Sequence, residues 1–187
     1  WRDLGLPGWS WDEVLPYFRR SEDHVLGASA IHGAGGEWSV AAARMHWPLL
    51  DDVQAAAQAV GLPVLKDFNA GDNEGVGPIH VNQRDGRRWS AADGFLKPVL
   101  QRPNLRVVTG ALAESLVFEG RRCCGIRWRD AAGGRHQAHA TRELVLAAGA
   151  FGSPQLLLRS GVGPGAQLQA LGIDVVHDAP GVGANLH

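Results

Sequence analysis

Apolar positions recur along the chain with two different spacings, and each spacing predicts its own kind of element. Leu49, Leu50, Val53, Ala57 and Val60 follow Pro48 at helical intervals, and Gly61 ends the run before Pro63, so one helix is predicted there. Upstream, "GWSWDEVLPYFRRSE" reads as a helix opened by a capping box between Ser10 and Glu13. A proline costs too much in a helix interior, so Pro16 is expected to start a second helical piece, with Tyr17 and Phe18 packed inward. "ASAIHGAGGEWSV" (28–40) is a glycine-rich loop leading to a short strand, and "IHVNQ" (79–83) alternates as a strand does. Ser90 then caps a helix to Leu100, with Asp93 near its positive end.

Beyond Leu105 the spacing shortens to two. "LRVVTG" (105–110), "LAESLVFEG" (112–120), "CCGIRWRD" (123–130) and "RHQAHAT" (135–141) predict a β-meander with turns at Glu119-Gly120 and Gly133-Gly134. "ELVLAAG" (143–149) is instead continuously apolar, as in a strand buried on both faces of a parallel sheet. That run collapses into Ala147-Ala148-Gly149-Ala150, and small residues there let another group approach the backbone closely. Ser153 and Pro154 predict the cap and first residue of a helix ended by Gly161. A short helix from Pro164 to Leu171, closed by Gly172, and a strand at "IDVVHD" (173–178) complete the order.

Composition narrows the class. With 187 residues, 45% hydrophobic and 20% charged, the chain is globular in character and long enough for one good core or two small domains. A net charge of -1 gives no field that gathers nucleic acid, and no run is long enough for a transmembrane segment. No signal peptide opens the chain, so a cytoplasmic setting is expected. Cys123 and Cys124 are adjacent, face opposite sides of a strand and are expected to stay unpaired. The chain begins on Trp1 and stops after "PGVGANLH", which reads as a segment cut at both ends.

The run "GAFGSPQLLLRSGVGP" followed by "LQALGIDVVHDAPGVGANLH" closely resembles the second signature region of the glucose–methanol–choline (GMC) oxidoreductases. "GWSWDEVLPYFRRSE", "DFNAGDNEGVG", "RDGRRWSAADGFLKP" and "RPNLRVVTGALAESLVFEGRRCCGI" resemble family segments in the family's order, closest to the choline dehydrogenase-like branch. The resemblance implies an α/β plus α+β fold, with a partial FAD-binding domain carrying a β-meander (86–187) and part of the substrate/cap domain (1–85). It implies an FAD-dependent enzyme that passes hydride from a primary alcohol to flavin N5, with oxygen or a quinone as electron acceptor. The family's N-terminal GxGxxG and C-terminal catalytic histidine have no counterpart in these residues, and the glycine runs at 33–36, 161–166 and 181–186 lack the strand–helix setting of a dinucleotide fingerprint.

By resemblance, Ala148 and Gly149 approach the cofactor, and the main chain of Ala113 reads its adenine edge. No residue here is assigned a catalytic role; His187 stands where relatives usually have Gln. No metal is expected. His136 and His139 face opposite sides of a strand, and His24, His32, His46, His80 and His177 stand singly, each read as a satisfied or exposed imidazole. The Arg pairs 19–20, 87–88 and 121–122 read as solvated faces, and Trp9, Trp11 and Trp47 as core. Two other readings stand beside the enzyme segment: an isolated non-catalytic flavin- or ligand-binding module, and an inactive truncated product. The isolated chain is expected to be poorly soluble and to hold no flavin tightly.

Overall fold

The computed structural model describes Trp1–Leu186, and His187, placed from the sequence where relatives usually have Gln, lies outside the described residues. Two compact units divide the chain, Trp1–Arg106 and Val107 onward.

In the first unit, helix α1 (Trp11–Ser21) begins with the expected box: Glu13 Oε2 accepts from the Ser10 amide at 3.0 Å and from the Ser10 hydroxyl at 2.6 Å. The helix runs straight through Pro16. Pro16 removes a single amide donor, and its would-be partner Asp12 is solvent-exposed, so water can serve the freed carbonyl and no second helix start is needed. Strand β1 (Glu22–His24) follows at once and pairs in parallel with β2 (Trp38–Ala42). Helix α2 (Pro48–Ala59) has Pro48 at its start and Gly61 in the left-handed region, φ +89°, just past its end.

The alternating stretch 79–83 breaks in two. Strand β3 (His80–Val81) joins β2 antiparallel, while β4 (Gln83–Arg84) forms a hairpin with β5 (Arg87–Arg88). After Ser90 the chain winds as one wide turn, Ala92–Leu96, then a tight 3₁₀ turn, Lys97–Val99, in place of a regular α-helix. Gly94 is buried against the Glu37 carbonyl, where an added Cβ would stand 2.6 Å from that oxygen. Pro98 meanwhile removes a donor from the last turn.

The expected inward packing fails in this unit. Tyr17, Phe18, Trp9, Trp11 and Trp47 are each more than half exposed, and so are Leu49 and Val60 on the apolar stripe of α2. The stripe has helical spacing, but no strand or helix of the unit packs extensively on α2.

The second unit is built on the meander. Strands β6 (Leu112–Glu119), β7 (Arg122–Arg129) and β8 (Arg135–His139) pair antiparallel in sequence order, with Gly120 (φ +57°) and Gly133 (φ +90°) in the turns. Cys123 and Cys124 are free thiols on β7. Residues 105–110 and 143–148 form no strand among the described residues. In the second stretch Leu144 and Leu146 turn toward a 280 Å³ apolar cavity with Leu116, Leu157 and Val176, while Val145 is 80% exposed. The residues are apolar on both faces, yet only one face has a neighbour.

Helix α3 (Gly149–Arg159) starts four residues before the expected Ser153 cap and carries Pro154 inside it. Ser153 still serves the helix start: its hydroxyl accepts the Ala148 amide at 3.0 Å. Helix α3 packs on β6, where Ser160 Oγ accepts the Leu116 amide at 2.8 Å. Strand β9 (Val162–Gly163), helix α4 (Gly165–Ala170) and strand β10 (His177–Asp178) close the unit, β10 parallel to β9. Leu116, Leu156 and the fully buried Leu168 form its core, each contributing about 1.5–3 kcal/mol by burial.

Candidate functional site

Two places stand out chemically, one in each unit. In the second unit the chain becomes small and open where the apolar run meets α3. Ala147, Ala148, Gly149 and Ala150 are all exposed. Gly149 has φ +82°, which an L side chain adopts only under strain, and among the described residues nothing lies within 4 Å of where its Cβ would stand. Tight strand-to-helix packing therefore does not explain this glycine. The backbone turn requires it, and the face above it is free. Beside it lies an open groove of 790 Å³ between α3 and residues 181–186, lined by Phe151, Pro154, Leu158, Val182 and Leu186 among others.

Ala113 sits on β6, the strand against which α3 packs. Strand β6 is an edge of the meander, so one side of its backbone has no sheet partner, and a register shift falls between Ala113 and Ser115. The three residues named from the sequence thus share one unit. Their side chains are too small to bind by themselves, and what they present is main chain.

In the first unit the residues do the opposite and crowd together. His24 ends β1, His80 begins β3, and His32 and Asp67 come from the intervening loops. The His24 and His32 rings stack at 3.7 Å between centroids, 8° from parallel, and His80 meets His24 edge-on at 4.9 Å. His32 Nδ1 contacts Glu22 Oε2 at 3.0 Å, and Nε2 contacts Asp67 Oδ2 at 2.7 Å. Only the doubly protonated ring can donate at both nitrogens, so His32 is an imidazolium held between two carboxylates. Asp67 Oδ1 accepts the Asn69 amide at 2.9 Å and lies 3.8 Å from His80 Nδ1, too far for a hydrogen bond.

Burial and charge act against each other here. Burial lowers the His24 pKa, and the neighbouring His32 lowers it further. Burial also works to lower the His32 pKa, but hydrogen bonds to Glu22 and Asp67 outweigh it and raise the value. Burial favours protonated Asp67; the Asn69 amide and His32 outweigh it and hold the carboxyl below its ordinary range.

Nothing in the sequence pattern pointed to this cluster. His32 and Asp67 are 35 positions apart, and none of the histidines has a metal-ligand spacing to another. The structure brings together His24, His32 and His80, which read singly as isolated imidazoles. It leaves His46 and His139 exposed, and His136 pairs at the surface with Asp130 at 2.7 Å. No helix among the described residues is long and apolar enough to cross a membrane.

Comparison with known proteins adds a consistent set of relatives. The GMC oxidoreductase family model matches residues 1–187. An oxygen-dependent choline dehydrogenase of Brucella anthropi is 41% identical over all of the chain, which covers 34% of that protein. Among solved structures, pyridoxine 4-oxidase from Mesorbium loti is 40% identical with a TM-score of 0.87, covering 94% of this chain and 35% of the oxidase. An FAD-dependent oxidoreductase from Chaetomium thermophilum is 34% identical with a TM-score of 0.88, covering 97% of this chain and 34% of the other. The chain thus spans about a third of the length of each of these relatives.

Proposed function

This chain belongs to the GMC oxidoreductase family, and from that premise we propose that it is a segment of an FAD-dependent alcohol dehydrogenase of the choline-oxidising kind. The observation that carries the reading is the 41% identity to a choline dehydrogenase over the whole chain. The substrate class is a small primary alcohol, and oxygen is the favoured electron acceptor because relatives are named as oxygen-dependent or as oxidases.

The open corner suits a large flat cofactor. Gly149 turns the chain at positive φ with no atom of the described residues over it, Ala148 adds only a methyl group, and the edge of β6 leaves backbone groups free near Ala113. Ala148 and Gly149 would hold the ring system by close backbone approach, and Ala113 would bind the adenine edge through its main chain. FAD, when bound, supplies the hydride acceptor. The chain's own share is positioning: it fixes the cofactor's place so that a donor carbon can be aligned with it. No residue of this chain is proposed for proton transfer.

The test uses the full natural reading frame that contains this chain. Purified protein is expected to release FAD on denaturation, and choline or another small primary alcohol is expected to bleach its flavin absorption without oxygen. A flavin-loaded protein that no alcohol in a panel of choline, simple aliphatic and aromatic primary alcohols reduces would overturn the substrate class. A folded protein with no flavin would overturn the cofactor.

A further inference from the structure

We infer that the histidine cluster of the first unit is a binding site for one divalent transition-metal ion, of which zinc is the type, held by His24, His80 and Asp67. A ring nitrogen of His24, one of His80 and a carboxylate oxygen of Asp67 lie within 4.8 Å of one another. All three side chains are buried: His24 is 4% and Asp67 7% exposed, and the His80 ring 8%. Two imidazoles and a carboxylate form a borderline donor set that suits zinc and its neighbours.

The spacing itself points to an ion. Asp67 Oδ1 and His80 Nδ1 stand 3.8 Å apart, beyond a hydrogen bond. Around a tetrahedral ion with bonds of about 2.0–2.2 Å, ligand atoms sit about 3.4 Å from each other, so a small inward shift converts this gap into a coordination edge. The second observation is independent of that spacing. His24 Nε2 is buried and has no hydrogen-bond partner among the described residues, at a cost that a buried polar atom rarely bears. We take this nitrogen as the one His24 offers to the ion, which then satisfies it. Ligation places the ring proton on Nδ1, which releases the 3.3 Å bond from the Leu26 amide; Leu26 lies at an exposed turn where water can take that donor.

His32 supports the ligands from behind. It holds the other Asp67 oxygen and is itself anchored by Glu22, the carboxylate–histidine arrangement that orients a ligating group. The cluster without an ion carries two carboxylates against one imidazolium, so a cation is also welcome electrostatically. Occupied, the site ties the end of β1, the loop at Asp67 and the start of β3 into one knot. Three protein ligands leave the fourth position of a tetrahedral ion to water. This inference does not depend on the proposed alcohol oxidation.

The test is cobalt and zinc titration of the full-length protein after chelation. One equivalent of Co²⁺ is expected to bind and give a visible d–d absorption band at wavelengths beyond the flavin, and Zn²⁺ is expected to displace it. His24→Gln and His80→Gln, near-isosteric changes, are each expected to abolish the band, while exposed His139→Gln keeps it. His32→Gln is expected to weaken binding about 10- to 100-fold through ligand orientation. Absence of the band in wild-type protein overturns the site whether or not the variants fold. A band retained at full affinity in folded His24→Gln or His80→Gln overturns it as well.

Discussion

The two candidate sites are made by opposite means. Around His32 the first unit gathers five ionisable side chains from distant positions and locks them by stacking, hydrogen bonds and charge. Around Gly149 the second unit strips side chains away and leaves a bare turn of backbone. A site of the first kind stores its energy in the folded protein, since each buried ion depends on its partners. A site of the second kind stores little, and under the proposed function a bound flavin would fill it. Substitutions should therefore strike stability at the first and ligand retention at the second.

The largest effect is expected at Asp67. Asp67→Ala removes the carboxylate that accepts from His32 and the Asn69 amide, leaving a buried imidazolium with Glu22 alone. Breaking a buried pair from one side should cost about 3 kcal/mol, read as a fall in the unfolding midpoint in urea. A loss under about 0.5 kcal/mol would place this pair with ordinary surface ion pairs and break the contrast.

Gly149 sharpens it from the other side. Gly149→Ala and Gly61→Ala both force an L residue to positive φ, at +82° and +89°, in open space. Each should cost about 1–2 kcal/mol in stability. Only Gly149→Ala, and more strongly Gly149→Leu, is expected to release flavin from the full-length protein. Equal flavin content in the Gly149 and Gly61 variants would reduce the turn to a purely conformational requirement.

The same contrast governs what could be read from the residues alone. The meander was legible because alternating "LAESLVFEG" and "CCGIRWRD", with glycine between, encode pairing locally. The capping box at Ser10–Glu13 was legible for the same reason. The bare corner was visible too, because Ala147-Ala148-Gly149-Ala150 are consecutive. The histidine cluster was not: its members come from four separate segments, and single imidazoles carry no spacing signal. Burial is not legible in the sequence wherever it depends on a partner element. The stripe of α2 and the run 143–149 have the periodicity of packed elements, but periodicity specifies a face without supplying its neighbour. Proline statistics favour helix starts at Pro16 and Pro154, whereas both lie inside helices that begin several residues earlier.

Ser153 probes how firmly the bare corner is held. Its hydroxyl is the acceptor for the Ala148 amide, so Ser153→Ala frees that donor at an exposed position. The expected loss is about 0.5–1 kcal/mol, with a modest weakening of flavin retention measured by dialysis. Ser153→Thr, which keeps the acceptor, should recover both; failure of that rescue would show that the bond does not set the corner's shape.

The smallest effect, and the control for the whole contrast, is at Asp93. Like Asp67, this carboxylate accepts from a backbone amide, that of Ser90 at 3.0 Å, and from a cation, here Lys97. Unlike Asp67, it pairs with a side chain that is 66% exposed. The Lys97 ammonium, then the Ser90 hydroxyl and amide, hold the Asp93 carboxyl well below its ordinary range. A carboxyl with a depressed folded pKa adds stability above the ordinary value near 4 and loses it as pH falls further. Asp93→Asn should therefore lower the melting temperature slightly at pH 7 and match wild type at the acid end, and salt should shrink the neutral-pH difference by screening Lys97. If Asp93→Asn costs as much at neutral pH as Asp67→Ala, burial is not what gives the histidine cluster its strength. If it costs little, the same chemistry has been weighed inside and outside the protein, and desolvation accounts for the difference.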